Sequence, residues 1–139
     1  MHRFFKILLV ALILSSCTTT DDKNYNKNIA SKWKLIEQLS DPGDGSGVFE
    51  SVQSSRTIEF YNDGTVRSNG ELCFMSYEAG NVHLGTYSDT EDNIDFDGEI
   101  IPEGCEFEGI KIYYQFEDSN LILWYLCIEG CGQKFIKVE

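Results

Sequence analysis

From Trp33 onward, apolar and polar residues alternate in short runs broken by turn residues, and no run keeps a helical period. A period of two is the signature of a strand with one face turned to a core. The first run, Trp33 to Leu39, places Trp33, Leu35 and Leu39 on one face, and the Gly- and Asp-rich "SDPGDGSG" of residues 40–47 follows it. Arg56 to Tyr61 alternates next. Asn62-Asp63-Gly64-Thr65 then marks a hairpin, since Asp-Gly supplies the positive φ angles that a tight primed turn requires, and Thr65 to Arg67 begins the return strand. Leu72 to Tyr77, Val82 to Tyr87 and Ile94 to Phe96 read as further strands, broken by Gly80-Asn81 and "SDTEDN". Ile110 to Phe116 turns Ile110, Ile112, Tyr114 and Phe116 inward.

Leu121 to Cys127 is apolar on both faces, which predicts either the most buried strand or one covered outside by another element. Ile128-Glu129-Gly130 reads as a three-residue hairpin loop with Gly130 in the left-handed position, and Gln133 to Val138 returns. Seven to nine short antiparallel strands predict an all-β domain, a small up-and-down barrel or a sandwich. Closure into a barrel is favoured because it removes exposed edges.

The segment ahead of this domain follows a different pattern. His2, Arg3 and Lys6 give a short basic start, and Ile7 to Leu14 is an apolar run of eight residues. That run is too short to span a bilayer and suits a signal-peptide core. Residues 1–16 are therefore expected to be a signal peptide. Residues 17–29 would form a disordered tether, because "TTTDDKNYNKN" has no apolar period. Residues 30–139 would be one barrel domain: 139 residues less 16 leave 123, enough for a single core.

Charge narrows the partners. The chain carries a formal −12, and loss of Arg3 and Lys6 with the leader makes it −14. A nucleic-acid partner is excluded as an expectation, since counterion release needs clustered Lys and Arg. A cationic partner, a divalent ion or simple solubility fits an acidic surface.

Four cysteines, Cys73, Cys105, Cys127 and Cys131, follow Cys17. In an exported domain an even number reads as two disulfides. Cys127 and Cys131 flank a hairpin loop at a separation a disulfide spans, and Cys73 with Cys105 is the pairing favoured for the rest. Zinc is less well served: His83 is the one histidine past the leader, and Cys73 and Cys105 stand far apart in sequence. A redox pair would have C-x-x-C spacing ahead of a helix.

Little else carries chemistry. "DNIDFDGE" of residues 92–99 resembles the start of a calcium loop, but Asn93 holds the first ligand position and Gly104 stands where a closing glutamate belongs. Asp95 and Asp97 fit the wet face of a strand, and "DPGDGSG" a solvated loop. His83 has no nucleophile motif near it, and no cofactor motif appears, so the expectation is a binding protein without a cofactor, not an enzyme. The aromatics, among them Trp33, Phe60 and Trp124, either line a ligand cavity or fill the core of a small barrel. Tyr87, Tyr114, Phe116 and Tyr125 are the candidate ligand contacts, with the mouth of the barrel expected near "DPGDGSG".

Leu14-Ser15-Ser16-Cys17 resembles the lipobox of bacterial lipoproteins, which implies lipidation at Cys17. Several acyl chains would anchor the chain, each buried methylene contributing about 0.8 kcal/mol. Asp21 and Asp22 resemble the acidic export tags of Bacteroidota lipoproteins. Together with "WKLIEQLSDPGDGSGVF", "IEFYNDGTV" and "LCIEGCGQKFIKV", these features resemble the lipocalin-like lipoproteins of that phylum, from about Ser31 to Val138. Ser31 stands where the lipocalin G-x-W has glycine. The resemblance implies a small antiparallel barrel held at the outer membrane, facing periplasm or cell surface. The expected function is binding of a small apolar or amphipathic molecule; the alternative is a protein-interaction or inhibitor lipoprotein that meets a cationic protein through its acidic barrel.

Overall fold

The computed structural model describes residues 28–91 and 93–139. The expected leader, Cys17 and nearly all of the expected tether lie outside the described residues.

Nine strands occur in chain order: β1 (Lys32–Ser40), β2 (Glu50–Ser51), β3 (Thr57–Phe60), β4 (Thr65–Gly70), β5 (Ala79–Asp89), β6 (Gly98–Pro102), β7 (Ile112–Glu117), β8 (Asn120–Tyr125) and β9 (Cys131–Lys137). Successive strands from β3 to β9 pair antiparallel, β1 joins β3, and β9 returns to β1, so eight strands close an up-and-down barrel. The closing seam runs from Trp33 opposite Lys137 to Ser40 opposite Cys131. The two-residue β2 pairs with the second half of β1. Disulfides join Cys73 to Cys105 and Cys127 to Cys131, with Cα separations of 5.5 and 6.1 Å.

The barrel has two distinct ends. Where β1 begins lie the turn 61–64, the loop 90–97 and the turn 118–119; where β1 finishes lie the segments 41–56, 71–78, 103–111 and 126–130, with both disulfides. Chain entry is fixed at the first end: Ile29, in the expected tether, is buried in the core, and its carbonyl accepts the Trp33 indole N–H at 3.1 Å.

Local chemistry explains where strands form and fail. Gly64 takes φ 85° in the Asp-Gly turn as that turn type demands. Ile94–Phe96 is not a strand, because the Asn93 side chain accepts the amides of Asp95 (2.9 Å) and Phe96 (3.3 Å) and bends the backbone out of any ladder. Leu72–Tyr77 is likewise irregular: Glu71 Oε1 accepts the amides of Leu72 and Cys73 at 3.0 and 2.8 Å, and Cys73 is tied to Cys105. Gly130 does not adopt the left-handed conformation, and the β8–β9 link is the five residues 126–130. In β1 the register shifts between Leu35 and Glu37, so Leu39 leaves the face of Trp33 and Leu35, and Gln38 reaches inward to Gln133.

The core lies inside the barrel. Leu35, Ile58, Phe60, Val66, Ile100, Ile112, Leu121, Leu123 and Phe135 are buried and belong to one cluster. Ile112 and Tyr114 point inward as the alternation requires, while Ile110 and Phe116 are half-buried. The apolar outer face of β8 is covered as well: Phe49 sets its ring edge-on to Trp124 at 5.9 Å, with Lys134 Nζ 4.6 Å above the Phe49 ring.

Candidate functional site

Inside the barrel the candidate aromatics pack on one another. Phe60 packs edge-on against Tyr87 at 5.1 Å and Tyr114 at 6.2 Å, and Phe116 contacts both Trp33 and Tyr114. Three of the four candidate contacts, Tyr87, Tyr114 and Phe116, therefore come together at the core, and Tyr114 and Phe116 also reach a cavity at one end of the barrel. The Tyr87 hydroxyl donates to the carbonyl of Tyr61 at 2.7 Å. Tyr125 lies apart from them, toward the disulfide end, where its hydroxyl donates to Gln133 Oε1 at 3.0 Å.

A concave site exists, but at the end opposite "DPGDGSG". A cavity of about 670 Å³, partly open to solvent, is bounded by the loop 89–97 and the end of β7. Its wall combines Asp89, Asp95, Asp97 and Asp118 with the apolar Ile94, Phe96, Tyr114 and Phe116, and among the described residues no cationic side chain lines it. The turn 118–119 and the Asn93-capped loop bring these carboxylates together from separate parts of the chain. Asp97 is held by its backbone amide on the carbonyl of Tyr114 (2.9 Å) and by Oδ2, which accepts the Phe116 amide at 2.7 Å. The Tyr114 hydroxyl donates to Asp89 Oδ1. Burial first, then that carboxylate partner, push the Tyr114 phenol above the usual tyrosine range, so it stays a neutral donor.

Glycine at position 98 makes this arrangement achievable. A Cβ there would lie 2.2 Å from the Tyr114 ring and 2.4 Å from the carbonyl of Ser88, so no larger residue admits the phenol to its place beside Asp89.

The loop "DPGDGSG", where a mouth was expected, folds on its own carboxylate. Asp41 Oδ1 accepts the amides of Gly43, Asp44 and Gly45, and Oδ2 accepts that of Gly47 at 2.8 Å. These donors, Gly47 first, hold the carboxyl below its usual range; the loop satisfies its own charge. Beneath this end lies a fully buried Arg56. Its guanidinium donates to Gln133 Oε1 (2.7 Å), the Tyr125 hydroxyl (3.1 Å) and the carbonyls of Glu71 and Ser76, while Nε has no partner. The segment 71–78 thus plugs the barrel with its own carbonyls. The sequence analysis did not single Arg56 out, although the alternation from Arg56 to Tyr61 sets it on the face of Ile58 and Phe60, both buried.

A third group assembles beside this plug. Glu71, Cys73 and His83 bring one ligand atom each within 4.8 Å of one another, with His83 Nδ1 3.4 Å from Glu71 Oε1. Sequence spacing gave no hint of it, because pairing of β4 with β5 and the Cys73–Cys105 bond create the proximity.

No family model, curated protein or solved structure matches this chain.

Proposed function

We propose that this chain is an extracytoplasmic, lipid-anchored binding module of lipocalin-like type that takes a cationic amphipathic molecule at the end of its barrel, not inside it. The observation that carries this reading is the cavity of about 670 Å³, whose wall combines four aspartates with aromatic and aliphatic side chains, beside the buried core. An ammonium or guanidinium would meet Asp95 and Asp118, and its apolar body would lie against Ile94, Phe96 and Phe116. The lipobox-like segment, the leader and the acidic residues after Cys17 support placement at the outer membrane, facing periplasm or cell surface. The role is binding, not catalysis, and calls on no cofactor.

The test uses three amphipaths with the same alkyl chain, bearing an amine, a hydroxyl or a carboxylate, titrated into the isotopically labelled protein. The amine should shift the amide resonances of residues 89–97 and 114–118, more weakly as salt is added, and Asp95→Asn with Asp118→Asn should abolish the effect. Equal binding of the hydroxyl compound, or none by any of the three, would refute the reading.

A second reading, an interaction or inhibitor lipoprotein for a cationic protein, is favoured by the net charge of −12. It predicts salt-sensitive association with a basic protein that is unchanged by the two pocket substitutions.

A further inference from the structure

We propose that Glu71, Cys73, His83 and Cys105 form a zinc site that the Cys73–Cys105 disulfide holds latent and that reduction releases. In the oxidised protein the ligand atoms of Glu71, Cys73 and His83 already lie within 4.8 Å of one another, and Cys105 Sγ is bonded to Cys73 Sγ. Bond lengths of about 2.0 to 2.3 Å to a tetrahedral zinc place ligand atoms roughly 3.3 to 3.8 Å apart. His83 Nδ1 and Glu71 Oε1, at 3.4 Å, meet that spacing, so the site needs only the sulfurs to part and the group to contract slightly. All three residues are half-buried, open enough for an ion to enter.

The donor set selects the ion. Two thiolates, an imidazole and a carboxylate suit zinc better than calcium or magnesium, which take oxygen ligands. A disulfide sulfur carries no charge to offer a cation, so the oxidised site has two useful donors and the reduced site four. In the reaction a dithiol reductant gives two electrons and two protons to the Cys73–Cys105 bond, leaving two thiols and becoming a disulfide itself. Zinc then displaces both thiol protons to solvent. The exchange has a structural use: the same bond pins the segment 71–78, whose Glu71 and Ser76 carbonyls hold Arg56, so coordination would keep the plug in place when the covalent tie is lost.

The experiment takes the purified protein carrying Cys127→Ser and Cys131→Ser, which leaves one disulfide, and titrates it with cobalt(II) and zinc before and after reduction by a water-soluble phosphine. The reduced protein should bind one cobalt with a thiolate charge-transfer band and tetrahedral d–d bands, zinc should displace it, and the oxidised protein should show neither. His83→Ala should weaken zinc by roughly 100-fold or more, since even outer-shell partners of a metal site are worth about 10- to 100-fold. If the reduced protein loses its near-ultraviolet dichroism, return of that signal on adding zinc supports the site, and failure to return overturns it. Equal binding by oxidised and reduced protein, or an affinity indifferent to His83→Ala, also overturns it.

Discussion

Arg56 Nη1 donates to Gln133 Oε1 at 2.7 Å, joining two fully buried side chains 77 residues apart in sequence. Gln133 in turn donates Nε2 to Gln38 Oε1 and to the carbonyl of Ser76, so one amide organises β1, β9 and the plug. A buried guanidinium that meets only neutral acceptors depends on every one of them, because removing an acceptor leaves charge without compensation. Gln133→Leu, close in volume, should destabilise the protein by about 3 kcal/mol in urea unfolding of the oxidised form. Arg56→Met with Gln133→Leu should cost clearly less than the sum of the single changes, since the stranded charge is gone. Strict additivity would show that the two side chains do not act as a unit.

Gly98→Ala tests the seat of Tyr114. The added Cβ would meet the phenol ring at 2.2 Å and the carbonyl of Ser88 at 2.4 Å, and overpacking of this kind costs about 1–3 kcal/mol. Trimming Tyr114 to Leu in the same protein should recover only part of the loss, because the clash with the Ser88 backbone persists. Full recovery would mean that the ring alone sets the requirement for glycine.

Which parts of this molecule the sequence discloses follows from what decides them. Strands β1, β3, β4, β7 and β8 are set by alternation and by the Asp-Gly turn, both local, and appear where the pattern puts them. Leu72–Tyr77 and Ile94–Phe96 have strand-like composition, yet Glu71 and Asn93 capture the amides that a ladder would need. Strand β6 is not signalled by the pattern, because its five residues begin at Gly98 and end at Pro102, residue types poor in strands, although Gly98 is there for Tyr114. The cavity escaped because its wall joins the loop 89–97 to the end of β7, a juxtaposition fixed by register and not by spacing. The loop "DPGDGSG" is instead organised by Asp41, whose carboxylate gathers the amides of the loop. Of the four candidate aromatics Tyr114 and Tyr125 are buried and Tyr87 and Phe116 pack against the core from its edge, and one sequence does not say whether an inward ring serves core or cavity.

Alkaline titration should isolate Tyr114. Burial, then Asp89, favour its neutral form in the folded protein, which raises its pKa above the ordinary value of 10.0. Its contribution to stability is therefore complete below about pH 10 and declines as pH rises from there towards the folded-state pKa. Tyr125, raised by burial, acts in the same direction. Phenolate absorbance should show these two rings ionising only as the protein unfolds, and Tyr114→Phe should flatten the alkaline loss of stability. A Tyr114 that titrates reversibly in the folded state at ordinary pH would contradict the burial on which the pocket wall depends.

The acid side should be local. Asp41 is held below its usual pKa by the amide of Gly47 first and by that of Gly43 next, so its contribution is present above the ordinary value of 3.8 and is lost as pH falls through the lower folded value. The amide resonances of Gly43 and Gly47 should move together over that range while those of the barrel strands stay fixed. Asp41→Ala should reproduce the acid spectrum at neutral pH. If the two glycines move at different pH values, one carboxylate is not ordering the whole loop.

The two disulfides should differ in worth. The Cys73–Cys105 bond closes a loop of 32 residues, and the Cys127–Cys131 bond one of four. The chain-entropy model gives about 3.5 kcal/mol for the first and about 2 kcal/mol for the second. The first also pins the segment whose Glu71 and Ser76 carbonyls hold Arg56, so its loss loosens a buried charge as well as lengthening the free chain. The second closes the link between β8 and β9, which already pair from Asn120 opposite Ile136 to Trp124 opposite Gly132. Cys73→Ser with Cys105→Ser should therefore lower the urea midpoint well beyond Cys127→Ser with Cys131→Ser. It should also speed hydrogen exchange at residues 71–78 ahead of global unfolding. Equal midpoints for the two double variants would show that the plug is held by Arg56 alone and does not need its covalent tie.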